Sequence, residues 1–280
     1  MTGDDRRTGA VTEVATGVYV LRQPVLDVNA VLVVGDGAAL VVDTLSTAAQ
    51  AGEFARAARE VTDAPWTIVN THHHFDHCFG NATLADGADI WAHEATAVEL
   101  RERGAHWQRI WYEEWQEREP GLAAELAEVT IVPPSRTVHT EATLDVGGRR
   151  VVLYHFGRGH TEGDLVVHVP DADVVLAGDL VEQGAAPDFG DGYPLEWPDA
   201  LAALLRLTTA RTVVVPGHGR VVDQDFVRAQ HADLSDLEWL IRDGHRDGAT
   251  VEAVAARSPF GARHSLVAVR RGYAELDGRA

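Results

Sequence analysis

The sequence predicts an α/β protein in which two β-sheets pack face to face with helices on their outer sides. Three observations predict it. Short valine-rich runs bounded by Gly, Pro and Asp recur along the 280 residues and read as strands. Helical patterns interrupt them in blocks, the order expected of a layered fold. A hydrophobic content of 45% is enough for an ordinary globular core.

The first strands are "GVYVLRQP" and "NAVLVVGDGAALVVDT", the latter with a "GDG" hairpin signal. A helical pattern from Thr47 to Val61 and the short strand "WTIVN" (66–70) follow. Residues 94–127 read as helix, with an acidic and aromatic middle. Strands return in "EVTIVPP", "ATLDV", "RRVVLYHF", "DLVVHV", "DVVLAG" and "TVVVPG", and two further helical stretches cover 196–208 and 223–243. No linker, repeat or low-complexity segment interrupts this order. It reads as one domain over 1–280, with a helical insertion at about 94–127 and a helical C-terminal extension at about 223–280.

Composition excludes several chemistries. All 24 basic residues are arginine, so no lysine Schiff base forms, and the net charge of -19 disfavours a nucleic-acid partner. The one short basic run, "VRR" at 269–271, does not offset it. The single cysteine, Cys78, rules out an intramolecular disulfide framework and a Cys-rich zinc ribbon. "MTGDDRRTGA" lacks a leader pattern and no 18 apolar residues run together, so the expectation is a cytoplasmic protein with no membrane partner.

The stretch "HHHFDH" (72–77) begins where "WTIVN" ends. In extended backbone, alternation puts His72, His74 and Asp76 on one side and His73 and Phe75 on the other. A helix starting near Asp76 returns His77 to the first side. His72 and His74 can then chelate one metal, while Asp76 and His77 begin a second site, with donors that suit zinc or iron better than calcium or magnesium. Two ligands are incomplete. Further donors stand at other strand ends: His160 in "GRGHTEGD", Asp179 in "LAGD" and His218 in "PGHG".

With Asp43 in "LVVDT", these motifs resemble the metallo-beta-lactamase superfamily of metal-dependent hydrolases over about residues 11–222. The 101–127 segment and the last 58 residues carry no motif of that family. The resemblance implies a four-layer αβ/βα sandwich with a dinuclear site at the edge between the sheets. His72, His74 and His160 would hold one metal and Asp76, His77 and His218 the other, with Asp179 bridging. Asp43 would stand behind the ligands; its own local reading is a helix N-cap. Asp179 resembles the glyoxalase II, lactonase and phosphodiesterase pattern, and the all-His set departs from that of flavodiiron proteins.

The resemblance thus implies two zinc ions per chain, with iron or manganese as alternatives. The implied reaction is hydrolysis of a small ester, thioester, lactone or lactam by water shared between the metals, with Asp76 orienting it and carrying its proton. The competing readings are an iron-dependent persulfide dioxygenase and a phosphodiesterase or nuclease.

Other residues leave alternatives open. Trp107, Trp111 and Trp115 form one helical stripe, which reads as core packing, a homodimer face or a lid. The Gly- and Pro-rich segment 181–199 reads as a loop at the site mouth, with Phe189, Tyr193 and Trp197 as candidate substrate contacts. Arg158 and Arg220 flank ligands and suit either a substrate carboxylate or surface ion pairs. Cys78, His73, His93, His155 and His168 read as packing, surface or hydrogen-bonding residues, with His73 pointing away from the cluster.

Overall fold

In the computed structural model of the protein, residues 11–279 are described. The decapeptide scanned above for a leader lies outside them. The first half contains β1 (Thr12–Ala15), β2 (Val18–Gln23), β3 (Val28–Val34), β4 (Ala39–Val42), α1 (Ala48–Val61), β5 (Trp66–Val69), α2 (Phe75–Cys78) and α3 (Asn81–Ala85). There follow β6 (Ile90–His93), α4 (Glu94–Trp115), α5 (Pro120–Ala127), β7 (Arg136–Val138), β8 (Glu141–Val146) and β9 (Arg149–Tyr154). The chain ends with β10 (Val166–Val169), β11 (Val174–Glu182), α6 (Trp197–Leu205), β12 (Val213–His218), α7 (Gln224–Arg246), α8 (Val251–Ala255) and α9 (Ala262–Leu276).

The strands form two apolar faces. Val31, Val33, Val42 and Val69 of the first half meet Val151, Leu153, Val167, Leu176 and Val215 of the second, making the inner core. Each such side chain, fully buried, contributes roughly 1.5–3 kcal/mol. Phe54 of α1 and Leu84 of α3 cover the outer face of the first half. Helices α6, α7 and α9 cover that of the second through Trp197, Leu237, Ile241 and Val269. This is the mixed α/β layering expected, with one correction: the two sheets are joined in a single hydrogen-bonded path, β7-β6-β5-β4-β3-β12-β11-β10-β9-β8, with β2 paired to β3 and β1 to β2. The joint is narrow. His218 pairs with Val28, and the Asn29 amide donates to the carbonyls of Pro216 and Gly219 at 2.9 and 3.0 Å.

Three other boundaries differ from the sequence reading. "EVTIVPP" forms no strand; Pro133 and Pro134 lack the N–H that a ladder needs, and β7 begins after them. The 94–127 helix is two helices, because Pro120 cannot continue α4 and instead takes the first-turn position of α5. β11 runs on to Glu182, so the loop expected from 181 begins at Gln183. Among the described residues no helix is long and apolar enough to cross a membrane.

Candidate metal centre

Seven side chains from five segments converge at the joint between the sheets. The chain bends after β5 at residues 71–73 and carries His72 and His74 there, α2 carries Asp76 and His77, a loop after β9 carries His160, and Asp179 and His218 lie in β11 and β12 rather than beyond them. His160 Nε2 lies 2.9 Å from His74 Nδ1 and 3.5 Å from Asp179 Oδ2, and His72 Nε2 is 3.8 Å from the same oxygen. On the other side, His218 Nε2 is 3.3 Å from Asp179 Oδ2, 3.3 Å from Asp76 Oδ2 and 3.3 Å from His77 Nε2. The donors fall into the sets His72, His74, His160, Asp179 and Asp76, His77, His218. Asp179 touches both.

Backbone geometry aims Asp179 into this cluster. Gly178 sits at a bulge in β11 with φ +52°, a left-handed conformation, and a Cβ there would meet the Thr71 side chain at 2.8 Å. The alternation of β11 is thereby reset one residue before the carboxylate.

Each of the five imidazoles has one nitrogen tied to an oxygen and the other facing the centre. His72 Nδ1 meets Thr71 Oγ1 at 3.0 Å, His77 Nδ1 meets Asp43 Oδ2 at 2.8 Å and His160 Nδ1 meets the Asp188 carbonyl at 3.2 Å. His218 Nδ1 meets the Leu26 carbonyl at 2.8 Å, and His74 Nε2 meets Asp191 Oδ1 at 3.0 Å. Such outer partners fix the ring and the tautomer of a metal-binding histidine. Asp43 also accepts from the Thr71 N–H and hydroxyl at 2.7 and 2.8 Å. It is not a helix cap: Thr47 caps α1.

The electrostatics of the cluster are uneven. Burial would push His77 and His218 down, yet the carboxylate of Asp179, with Asp76 beside it, holds both well above the ordinary histidine range. Burial, followed by the charge on His77, pushes His72 well below that range. Burial and then the charge on His74 take His160 to about 4. Two buried atoms at the centre, His72 Nε2 and Asp179 Oδ1, have no hydrogen-bond partner, a costly state in a protein interior. A cation held by these donors would satisfy both atoms, and imidazole and carboxylate are donors that zinc takes. The residues fit a metal.

A cavity of about 380 Å³ opens over the cluster. Its floor is His74, Asp76, His160, Asp179 and His218, and one wall is Phe75, Trp111 and Trp115. Trp111 packs on Phe75 with ring centroids 4.8 Å apart. The tryptophan stripe therefore both packs against α2 and lines the cavity. Opposite stand Glu182, Gln183, Gly184 and Asp188, so the loop lies at the mouth as expected. Burial and then the charge of Asp179 raise Glu182 to about 8.

These positions decide between the readings left open by the sequence, correcting some and bearing out others. Phe189 and Trp197 are core residues, exposed by 2% and 0%, and Tyr193 lies under the guanidinium of Arg158, so none of the three lines the cavity. Arg158 pairs with Glu196, and neither it nor Arg220 lines the cavity. His73 stands outside both donor sets and does not line the cavity, as expected, but it is not idle: its Nε2 lies 3.1 Å from Asp191 Oδ2, beside the bond that Asp191 makes to His74. His93 is buried, not a surface residue; it caps α4 and stacks on His155 at 3.9 Å. Cys78 is buried with its thiol donating to the carbonyls of His73 and His74. Sequence reasoning missed Asp191 and Thr71. The only local signal for Asp191 is an acidic residue between two glycines, "GDG", in a loop near the site.

The layered fold and the paired donor sets together define an α/β protein with a candidate metal centre. A family model described as the metallo-beta-lactamase superfamily matches residues 24–218, and the chain belongs to that superfamily. A metallo-beta-lactamase type 2 of Bacillus cereus is 29% identical over 173 residues, covering 60% of this chain and 56% of that protein. An acyl-coenzyme A thioesterase, MBLAC2 of Gallus gallus, is 29% identical over 129 residues, covering 45% of each. The chain thus spans about half the length of these curated relatives. Among solved structures, a metallo-beta-lactamase from Pontibacter korlensis superposes with a TM-score of 0.66 at 22% identity, over 82% of this chain and 99% of that one.

Proposed function

We propose that this protein hydrolyses a small ester, thioester, lactone or lactam with two zinc ions per chain. His72, His74 and His160 would hold one ion, Asp76, His77 and His218 the other, and Asp179 would contact both. The single observation that carries this reading is the sharing of Asp179 between two donor sets whose imidazoles are all tied from behind. Bound zinc supplies a water acidified toward neutrality and polarises a carbonyl oxygen.

The chain's own residues supply the rest. Asp76 Oδ2 reaches the centre beside His218 and can hold the proton released from that water. Phe75, Trp111 and Trp115 offer an apolar surface to an acyl group and exclude water from one side. No arginine lines the cavity, while Asp27, Glu114, Glu182 and Asp188 do, which favours an uncharged substrate beyond its reacting group. Asp27 and Glu114 are each paired with an arginine, Arg22 and Arg118, behind the rim.

The test is a hydrolysis panel of neutral thioesters, lactones, esters and beta-lactams on zinc-loaded protein. Turnover of at least one class is expected, abolished by a chelator and lowered about 10²- to 10⁴-fold by Asp76→Ala. Oxygen uptake with a persulfide by iron-loaded protein, without hydrolysis of any of the panel, would overturn the reading.

A further inference from the structure

The C-terminal extension, outside the residues that match the family, touches the metal centre at second hand. The guanidinium of Arg271, on α9, donates to three successive carbonyls of the cavity-side loop: Gly190 at 3.3 Å, Asp191 at 2.9 Å and Gly192. The ring of Tyr193 lies 5.5 Å from it. That same short segment presents the Asp191 carboxylate to two neighbouring histidines, one oxygen 3.0 Å from His74 Nε2 and the other 3.1 Å from His73 Nε2. A second tie, from Tyr193 N–H to the Gly159 carbonyl at 2.7 Å, joins the segment to the loop that carries His160.

Two glycines flank Asp191, and glycine loses more backbone freedom on ordering than any other residue. Such a segment does not hold a carboxylate still by itself. One planar guanidinium bonded to three consecutive carbonyls does, because its donors are fixed relative to one another. Arg271 is half-buried, and α9 is anchored through the buried residues Ser265, Ala268, Val269 and Gly272.

We infer that Arg271 is a positioning residue for the metal centre: it fixes Gly190–Gly192 so that Asp191 orients His74 for its ion, making α9 part of the site's support. The inference rests on the reading that His74 binds metal. It assigns a purpose to the loop and to the extension, which carry no motif.

The test measures zinc affinity of the full chain by competition with a chromophoric chelator, with thermal unfolding of the zinc-free protein as the control for folding. Asp191→Asn is expected to weaken the His72–His74–His160 site by roughly 10- to 100-fold, the range for outer partners of metal ligands. Arg271→Met, which keeps the aliphatic stem, is expected to weaken the same site by a smaller factor, and the double variant to be no weaker than Asp191→Asn alone. Arg271→Lys should recover only part of the loss, since one ammonium cannot satisfy three carbonyls in a plane. Wild-type affinity in Arg271→Met, or losses that multiply in the double variant, would overturn the inference. Should Arg271→Met not fold, Arg271→Lys decides: wild-type zinc affinity there contradicts the role. A wild-type chain that binds no zinc refutes the metal reading itself, a distinguishable failure.

Discussion

Gly217 and Asp179 occupy each other's space: a Cβ added at position 217 would lie 1.7 Å from Asp179 Oδ1. The carboxylate that links the two donor sets reaches them only because its neighbour in β12 has no side chain. Gly217→Ala must therefore push Asp179 aside. Overpacking of this kind costs about 1–3 kcal/mol, but the larger expected effect is loss of metal. Elemental analysis of the purified variant should find less than half the wild-type metal; full metal content would show that Asp179 is not needed at that position.

Asp43 binds His77 and Thr71 at once and sits behind the ligands rather than among them. Burial raises its pKa, opposed by the charge of His77. Asp43→Asn preserves shape but removes the charge facing His77 Nδ1, and an outer-partner loss of this type costs about 10- to 100-fold in metal affinity. Chelator competition reads it directly. An unchanged affinity would make Asp43 a packing residue.

Trp111→Ala separates the two uses of the tryptophan stripe. The indole packs on Phe75 and lines the cavity without contacting a described donor other than His74, 6.1 Å away between centroids. The expected outcome is wild-type metal content with kcat/KM for bulky acyl substrates reduced about tenfold, equivalent to 1.4 kcal/mol, and little change for an acetyl ester. Equal losses on all substrates would remove the wall from the explanation.

His93 makes zinc-free stability depend on pH. Burial, followed by the charge of His155 stacked upon it, depresses His93 from 6.5 to about 4 in the folded chain. The unfolded chain therefore binds the proton first, so this contribution is complete above pH 6.5 and is lost as pH falls toward 4. His93→Asn keeps an acceptor for the α4 N-terminus and removes the titration. Between pH 7.5 and 4.5 the Tm of the zinc-free wild type should fall further than that of the variant; parallel curves would contradict the assignment.

Much of the site was legible because its chemistry is local. His72, His74, Asp76 and His77 fall within six residues, and His160, Asp179 and His218 each follow an apolar run in the sequence, although the strands of the structure take in Asp179 and His218. What could not be read depended on contact between distant segments. Asp191 lies 117 residues from His74, and nothing in "FGDGY" states which histidine it will meet. Phe189 and Trp197 looked like contacts because they are aromatic and sit in a loop beside Asp179; the docking of α6 and α7 onto β11 buries them instead. Periodicity likewise gave the strands but not the junction at Val28 and His218, which makes one path of the two sheets.

The most direct measurement is the zinc stoichiometry of the purified chain, with and without His218→Ala. Two equivalents falling to one are expected, because His218 belongs to only one of the donor sets. A single equivalent that survives His218→Ala unchanged, or full activity in protein stripped of metal, would contradict a paired centre bridged by Asp179.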